Sequence, residues 1–269
     1  MSVSRFIPQW MTSPSWLRRR RVASLQPHNK IVQGLWIGER LSTMERLSIE
    51  SFLQNGHDYH LYVYDKMQNV PAGACLMDAN EILPASRIFQ YGPAAGEGRG
   101  SVAGFSNYFR YKLLLERGGY WADMDVVCLK LFDFEAPIVI STESRARDQP
   151  GPKAANAVLK SPAVSEFMRR CWEECEASDP ARIVWGETGP QLVERVVAEL
   201  GVQQYMHPID VFCPIRWYTP LRMIRGRESI EPHWHAVHLS HEIWRRRGWN
   251  KDGRYPPTSI YEQLKARYL

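Results

Sequence analysis

Hydrophobic and polar positions along the chain switch between a two-residue and a helical period. Residues 31–38 form a short apolar run closed by glycine, which predicts a first buried strand. Ser42-x-x-Glu45 is a capping-box pattern, and the helix it opens carries Met44, Leu47, Ile49 and Phe52 before ending near Gly56. Weak alternation over 59–64 predicts a second strand. The chain therefore opens strand–helix–strand, an arrangement that favours parallel pairing.

Farther on, a short helical piece is expected over 78–83. Gly92, Gly96, Gly98 and Gly100 then mark a loop of the kind found in lids and linkers alike. The clearest helix covers 105–119, with Ser106 as its cap, Leu113, Leu114 and Leu115 in its later turns and Gly118-Gly119 as its stop. Strands are predicted at 126–129, 137–142 and 236–239. Helices are predicted at 163–177 and from 185–190 onward, the latter with Thr188 as N-cap ahead of Pro190. A basic amphipathic helix ends the chain after Thr258. No internal repeat is visible.

Composition narrows the class. The chain has 269 residues, 44% hydrophobic and 23% charged, which suits one large α/β domain and argues against disorder. Its 10 Trp and 12 Tyr suit either a core or a cleft that stacks sugars and bases. The formal net charge of +5 is partly local, because residues 18–21 are four consecutive arginines. This pattern reads either as a solvated tail or as contact with anionic partners. It carries no nucleic-acid-binding motif. Five cysteines without a C-x-x-C pair make neither a disulfide framework nor a zinc ribbon, and reduced cysteines point to the cytoplasm. No stretch approaches the roughly 20 apolar residues that span a bilayer, so membrane contact is expected to be peripheral, at the inner face.

The chemistry centres on Asp123-x-Asp125. Two carboxylates two residues apart, after an apolar helix and a Gly-Gly break, can converge on Mg2+ or Mn2+, which take oxygen ligands and share substrate phosphates. Such a cation would stabilise a departing diphosphate. Alone, the motif also describes a plain acidic turn. Asn107 and Arg110 lie three apart on one face of the preceding helix.

The string from Phe105 to Leu115, followed by Gly118-Gly119-Tyr120-Trp121-Ala122-Asp123-Met124-Asp125, resembles the signature of family 32 glycosyltransferases, defined by a sugar-binding region with a D-x-D motif. Leu35-Trp36-Ile37-Gly38 is similar to that family's first strand, Trp185 to Pro190 to its later T-G-P segment, and Val237-His238-Leu239 through Trp244 to its closing H-L stretch. Bacterial enzymes of polysaccharide or capsule assembly look nearest. The resemblance implies a GT-A type α/β fold with a Rossmann-like N-terminal half and a mixed central sheet, with residues 1–28 as a basic flexible arm and 29–269 as one domain. It implies a metal-dependent, retaining hexosyltransferase that uses a nucleotide-sugar donor, UDP-linked on family grounds, and a saccharide or lipid-linked saccharide acceptor.

Site roles follow from the same resemblance. Trp36 and Gly38 are assigned to the nucleotide, Trp36 by stacking on the base. Asn107, Arg110 and Trp121 are assigned to the sugar, with Trp121 also readable as a core residue; Asp123 is assigned to the metal and the nucleotide and Asp125 to the metal, both as catalytic residues. Asn107 stands where the family has Asp, and Trp121 where it has Tyr. Glu187 opens a helix and either orients substrate or faces solvent beside the helix dipole. His233, His235, His238 and His241 crowd together, and His238 is expected either as a third metal ligand or as a structural hydrogen-bonding residue. Two other readings remain: a nucleotide-sugar-binding module without turnover, and a haloacid dehalogenase-type phosphohydrolase with Asp123 as nucleophile, matching D-x-D-x-V.

Overall fold

A computed structural model describes residues 30–145 and 151–269. The expected arm over 1–28, with its four arginines, lies outside the described residues. In chain order the elements are β1 (Ile31–Trp36), α1 (Thr43–Gln54), β2 (Asp58–Val63), β3 (Cys75–Asp78), α2 (Ala103–Arg117), β4 (Gly119–Ala122), β5 (Val126–Cys128), β6 (Val139–Ser144), β7 (Pro152–Ser161), α3 (Glu166–Ala177) and α4 (Pro190–Leu200). The short helices α5 (Ile209–Phe212) and α6 (Arg222–Arg225) follow, then β8 (Ala236–His238), α7 (His241–Arg247) and α8 (Ile260–Tyr268).

Six strands form one mixed sheet in the order β3-β2-β1-β4-β7-β6. The first four are parallel, β7 runs antiparallel to β4, and β6 antiparallel to β7. β5 and β8 make a separate antiparallel pair. This is the α/β architecture with a Rossmann-like N-terminal half and a mixed central sheet that the sequence predicts. No helix among the described residues is long and apolar enough to cross a membrane.

The parallel strands are buried on both faces, which explains their near-continuous apolar character. Leu35, Tyr62 and Trp121 point to one side, where they meet Tyr108, Phe109 and Leu113 of α2. Val32, Tyr59, Leu61 and Tyr120 point to the other, among Ile49 and Phe52 of α1. A third cluster joins Met44 and Leu47 of α1 to Trp244, Tyr261 and Leu264 near the C-terminus. The capping box is formed as predicted: the Ser42 N–H donates to Glu45 Oε2 over 2.8 Å, and the Met44 N–H donates to Ser42 Oγ.

Gly118 ends α2 with φ 65°, and a Cβ there would lie 2.6 Å from the Ala163 nitrogen. Only glycine combines that conformation with that approach. The buried Gln33 amide holds the turn from β1 by donating to the Gly118 carbonyl over 2.8 Å and to the Tyr120 carbonyl over 3.3 Å.

Several local expectations are corrected. Residues 119–122 are a buried strand rather than a break, because β1 and β7 pair with them on both sides. β7, the longest strand, was not predicted. Its Ala154, Ala155 and Ala157 have weak strand preference and are held extended by β4 and β6. Ser106 is not the cap of α2, which starts at Ala103, so its hydroxyl lies inside the helix and accepts from Arg110 Nη2. Gly189, not Thr188, is the N-cap of α4, and the Thr188 hydroxyl accepts from Asn107 Nδ2. The glycine-rich segment includes short 3-10 turns over Pro93–Gly98. The strand expected at 137–142 runs two residues later.

Candidate functional site

β4 delivers Asp123, and β5 begins at Val126, so Asp123-Met124-Asp125 is the turn between the two sheets. The Asp123 N–H donates to the Ala157 carbonyl of β7 over 2.9 Å, and the Val126 N–H closes the turn onto the Asp123 carbonyl over 3.0 Å. Met124 anchors the turn from below. Its sulfur accepts from the Tyr59 hydroxyl over 3.2 Å, and a Cβ on Gly34 would lie 2.5 Å from that hydroxyl and 2.9 Å from the sulfur. With Met124 held in the core, both aspartates line the cleft.

β8 brings the third group. Val126 pairs with His238, and the Leu239 N–H donates to the Asp125 carbonyl over 2.9 Å. His238 Nε2 then lies 3.3 Å from Asp125 Oδ2. One donor atom each from Asp123, Asp125 and His238 fall within 4.8 Å of one another. Two carboxylate oxygens and an imidazole nitrogen suit a divalent cation such as Mn2+ or Mg2+, with room for waters and phosphate oxygens in the rest of the shell.

The two aspartates are held differently. Burial pushes the Asp123 pKa up, and Arg110, 2.8 Å away through Nη2, opposes this. The Trp121 Nε1–H also donates to Asp123 Oδ1 over 2.9 Å. Burial also disfavours the Asp125 anion. It is outweighed by His238 and by the His241 amide, which hold this carboxyl well below the usual range. Burial works against a charged His238, but Asp125 overrides it and raises the pKa well above the ordinary histidine value.

α2 supplies Arg110 and Asn107 from one face. The Arg110 guanidinium is 4% exposed, donates through Nη1 to the Asn156 carbonyl and sits 4.9 Å over the Trp121 ring. The Asn107 carbonyl oxygen accepts from Asn156 Nδ2 over 2.9 Å, and its amide donates to Thr188 Oγ1 over 3.3 Å. Tyr111 closes this network by donating to the Thr188 carbonyl over 3.0 Å. The amide of Asn107 is thereby oriented, with one donor and one acceptor position left over.

These groups line a single cleft of about 740 Å3 that also includes Trp36, Trp185, Trp217 and Ser240. Residues 42–145 match the family described as the glycosyltransferase sugar-binding region containing a DXD motif. Over that segment the chain is similar to a glycosyltransferase sugar-binding region. The solved structure "PaToxG Glycosyltransferase" is similar over 89% of this chain and 85% of its own, at 13% identity and a TM-score of 0.45. No curated protein matches the chain.

Within the matched segment, Asn107, Arg110, Trp121, Asp123 and Asp125 line the cleft. His238, from outside the matched segment, joins them. Trp36 lines the cleft at the end of β1, its Nε1–H donating to the Arg40 carbonyl over 3.2 Å and Lys251 lying 5.3 Å from its ring. Two expected residues fall outside the lining. Gly38 lies beyond Trp36 with φ 136°. Glu187 folds back, its carboxylate accepting from the Val184 N–H over 2.8 Å in the turn ahead of α4. Asn156, Trp217 and Ser240 were missed. Asn156 sits on the unpredicted β7, and the other two lie in connections without periodicity.

Proposed function

We propose that the protein is a metal-dependent, retaining hexosyltransferase that takes its sugar from a nucleotide donor, UDP-linked by the family resemblance, and passes it to a saccharide or lipid-linked saccharide. The observation that carries this reading is the convergence of Asp123, Asp125 and His238 in the same cleft as Arg110 and Trp36. Asp123, Asp125 and His238 would hold Mn2+ or Mg2+, which when bound supplies positive charge against the diphosphate that leaves the sugar.

The chain's own residues do the positioning. Trp36 offers a ring face to the base. Arg110 is fixed by Asp123, the Asn156 carbonyl and the Trp121 ring, so its cationic head needs little reorganisation as negative charge develops beside the sugar. Asn107 has a remaining donor and acceptor for sugar hydroxyls. No side chain is assigned as an essential base, because in a front-face retaining transfer the departing phosphate takes the acceptor's proton. Glu187, turned onto Val184, is assigned no part in this reading.

A thermal-shift panel of nucleoside diphosphates and nucleotide-sugars, each with and without Mn2+, tests the proposal. Stabilisation by one diphosphate only when metal is present supports a metal-dependent transferase and names the base. No shift with any nucleotide, with or without metal, refutes it.

A further inference from the structure

The cleft extends past the Asp123–Asp125–His238 cluster along the β6–β7 edge, where Trp217, Glu143 and Lys153 line it. Five large hydrophobic side chains are exposed among the described residues, and Trp217, at 39%, is the aromatic one. Its Nε1–H is anchored by the Ser144 carbonyl at 2.8 Å and the Arg145 carbonyl at 3.1 Å. The ring is therefore fixed by its edge.

Beside it, Glu143 and Lys153 face each other across the β6–β7 register, with Nζ 3.1 Å from Oε1. The pair offers a hydrogen-bond donor and acceptor side by side with no net charge. Neighbouring charges are also paired: Arg145 with Glu194, and Arg216 with Asp210 at 3.1 Å. A fixed aromatic ring beside a neutral donor–acceptor pair suits a ligand with apolar C–H faces and hydroxyl edges.

We propose that the Trp217 end of the cleft is the acceptor subsite and binds an uncharged saccharide, with Trp217 as the stacking platform and Glu143 and Lys153 as hydrogen-bonding partners of its hydroxyls. This rests on the transferase reading above. It commits the acceptor to a neutral sugar unit at the position nearest the transferred hexose.

Fluorotryptophan-labelled protein provides the test, with the Trp217 and Trp36 resonances assigned by W217F and W36F. UDP with Mn2+ is added first, then cellobiose, maltose and lactose, each to saturation. The expected result is a Trp36 shift on nucleotide and a separate Trp217 shift on at least one disaccharide. A second measurement compares affinities for that disaccharide: W217F stays close to the native value, W217A loses roughly tenfold, and K153M also weakens binding. A Trp36 response with an immobile Trp217 overturns the subsite and leaves the donor reading standing. An immobile Trp36 on addition of UDP with Mn2+ counts against the donor reading instead. Equal losses in W217F and W217A overturn the stacking role.

Discussion

Arg110 and Asp123 form an ion pair of 2.8 Å in which the guanidinium is 4% exposed and the carboxylate 25%. The pair ties α2 to the turn after β4, so the cation nearest the paired aspartates comes from the helix that also carries Asn107. Removing the arginine leaves Asp123 facing Asp125 without its nearest positive charge, with burial already disfavouring the anion.

R110A is therefore expected to lower stability in metal-free buffer. Breaking a buried pair costs about 3–5 kcal/mol, and the partial exposure of Asp123 puts this case at or below the low end. Urea denaturation with and without Mn2+ measures it. On the proposed mechanism R110A also impairs sugar transfer more than binding of the free nucleotide. Equal losses of both would make Arg110 a purely structural residue.

G118A tests the joint that sets this geometry. Alanine at φ 65° is strained, and its Cβ would meet backbone atoms, the Ala163 nitrogen at 2.6 Å and the Ser161 carbonyl at 3.0 Å. Neither neighbour is a flexible side-chain end that can swing away. A loss of about 2 kcal/mol or more is expected, read as a lower thermal midpoint. An unchanged midpoint would mean that the α2–β4 turn relaxes freely.

How far the site can be read from sequence depends on how local each feature is. The capping box at Ser42 and Glu45, the Gly118 stop and the Asp123-x-Asp125 turn are written within a few residues, and each forms where expected. β7 is different. Its alanines become a strand only through pairing with β4 and β6, so Asn156, which orients Asn107 and accepts from Arg110, stays hidden until the sheet is assembled. The same holds in reverse for Gly38 and Glu187. Sequence proximity to the motifs suggested roles, but one turn of backbone places each outside the cleft lining. His238 shows an intermediate case, since its neighbourhood is crowded with histidines and only the β5–β8 register selects this one to face Asp125.

Trp36 lines the cleft at the strand end with its N–H bound to the Arg40 carbonyl, so its ring is held by the edge. W36A should weaken binding of the preferred nucleoside diphosphate by roughly tenfold or more, since stacking a base on an aromatic ring contributes about 1–3 kcal/mol. Titration calorimetry at saturating Mn2+ reads this directly. A dissociation constant equal to the native one would remove Trp36 from the nucleotide site.

D125N addresses the metal itself. An asparagine keeps an oxygen for the His241 amide, so the turn onto α7 is preserved, but the side chain no longer presents an anion beside His238. At a Mn2+ concentration of 100 times the dissociation constant, the native protein should gain about 2.7 kcal/mol from the cation. If the substitution weakens the site a hundredfold, the gain at the same concentration falls to about 0.4 kcal/mol. Thermal melts across a Mn2+ series therefore separate the two proteins even where no acceptor has been found, and transfer should be lost in parallel. A native metal-dependent shift in D125N would mean that the cation, if bound, sits elsewhere in the cleft. Asp125 would then be left as the structural partner of His238 and of the His241 amide.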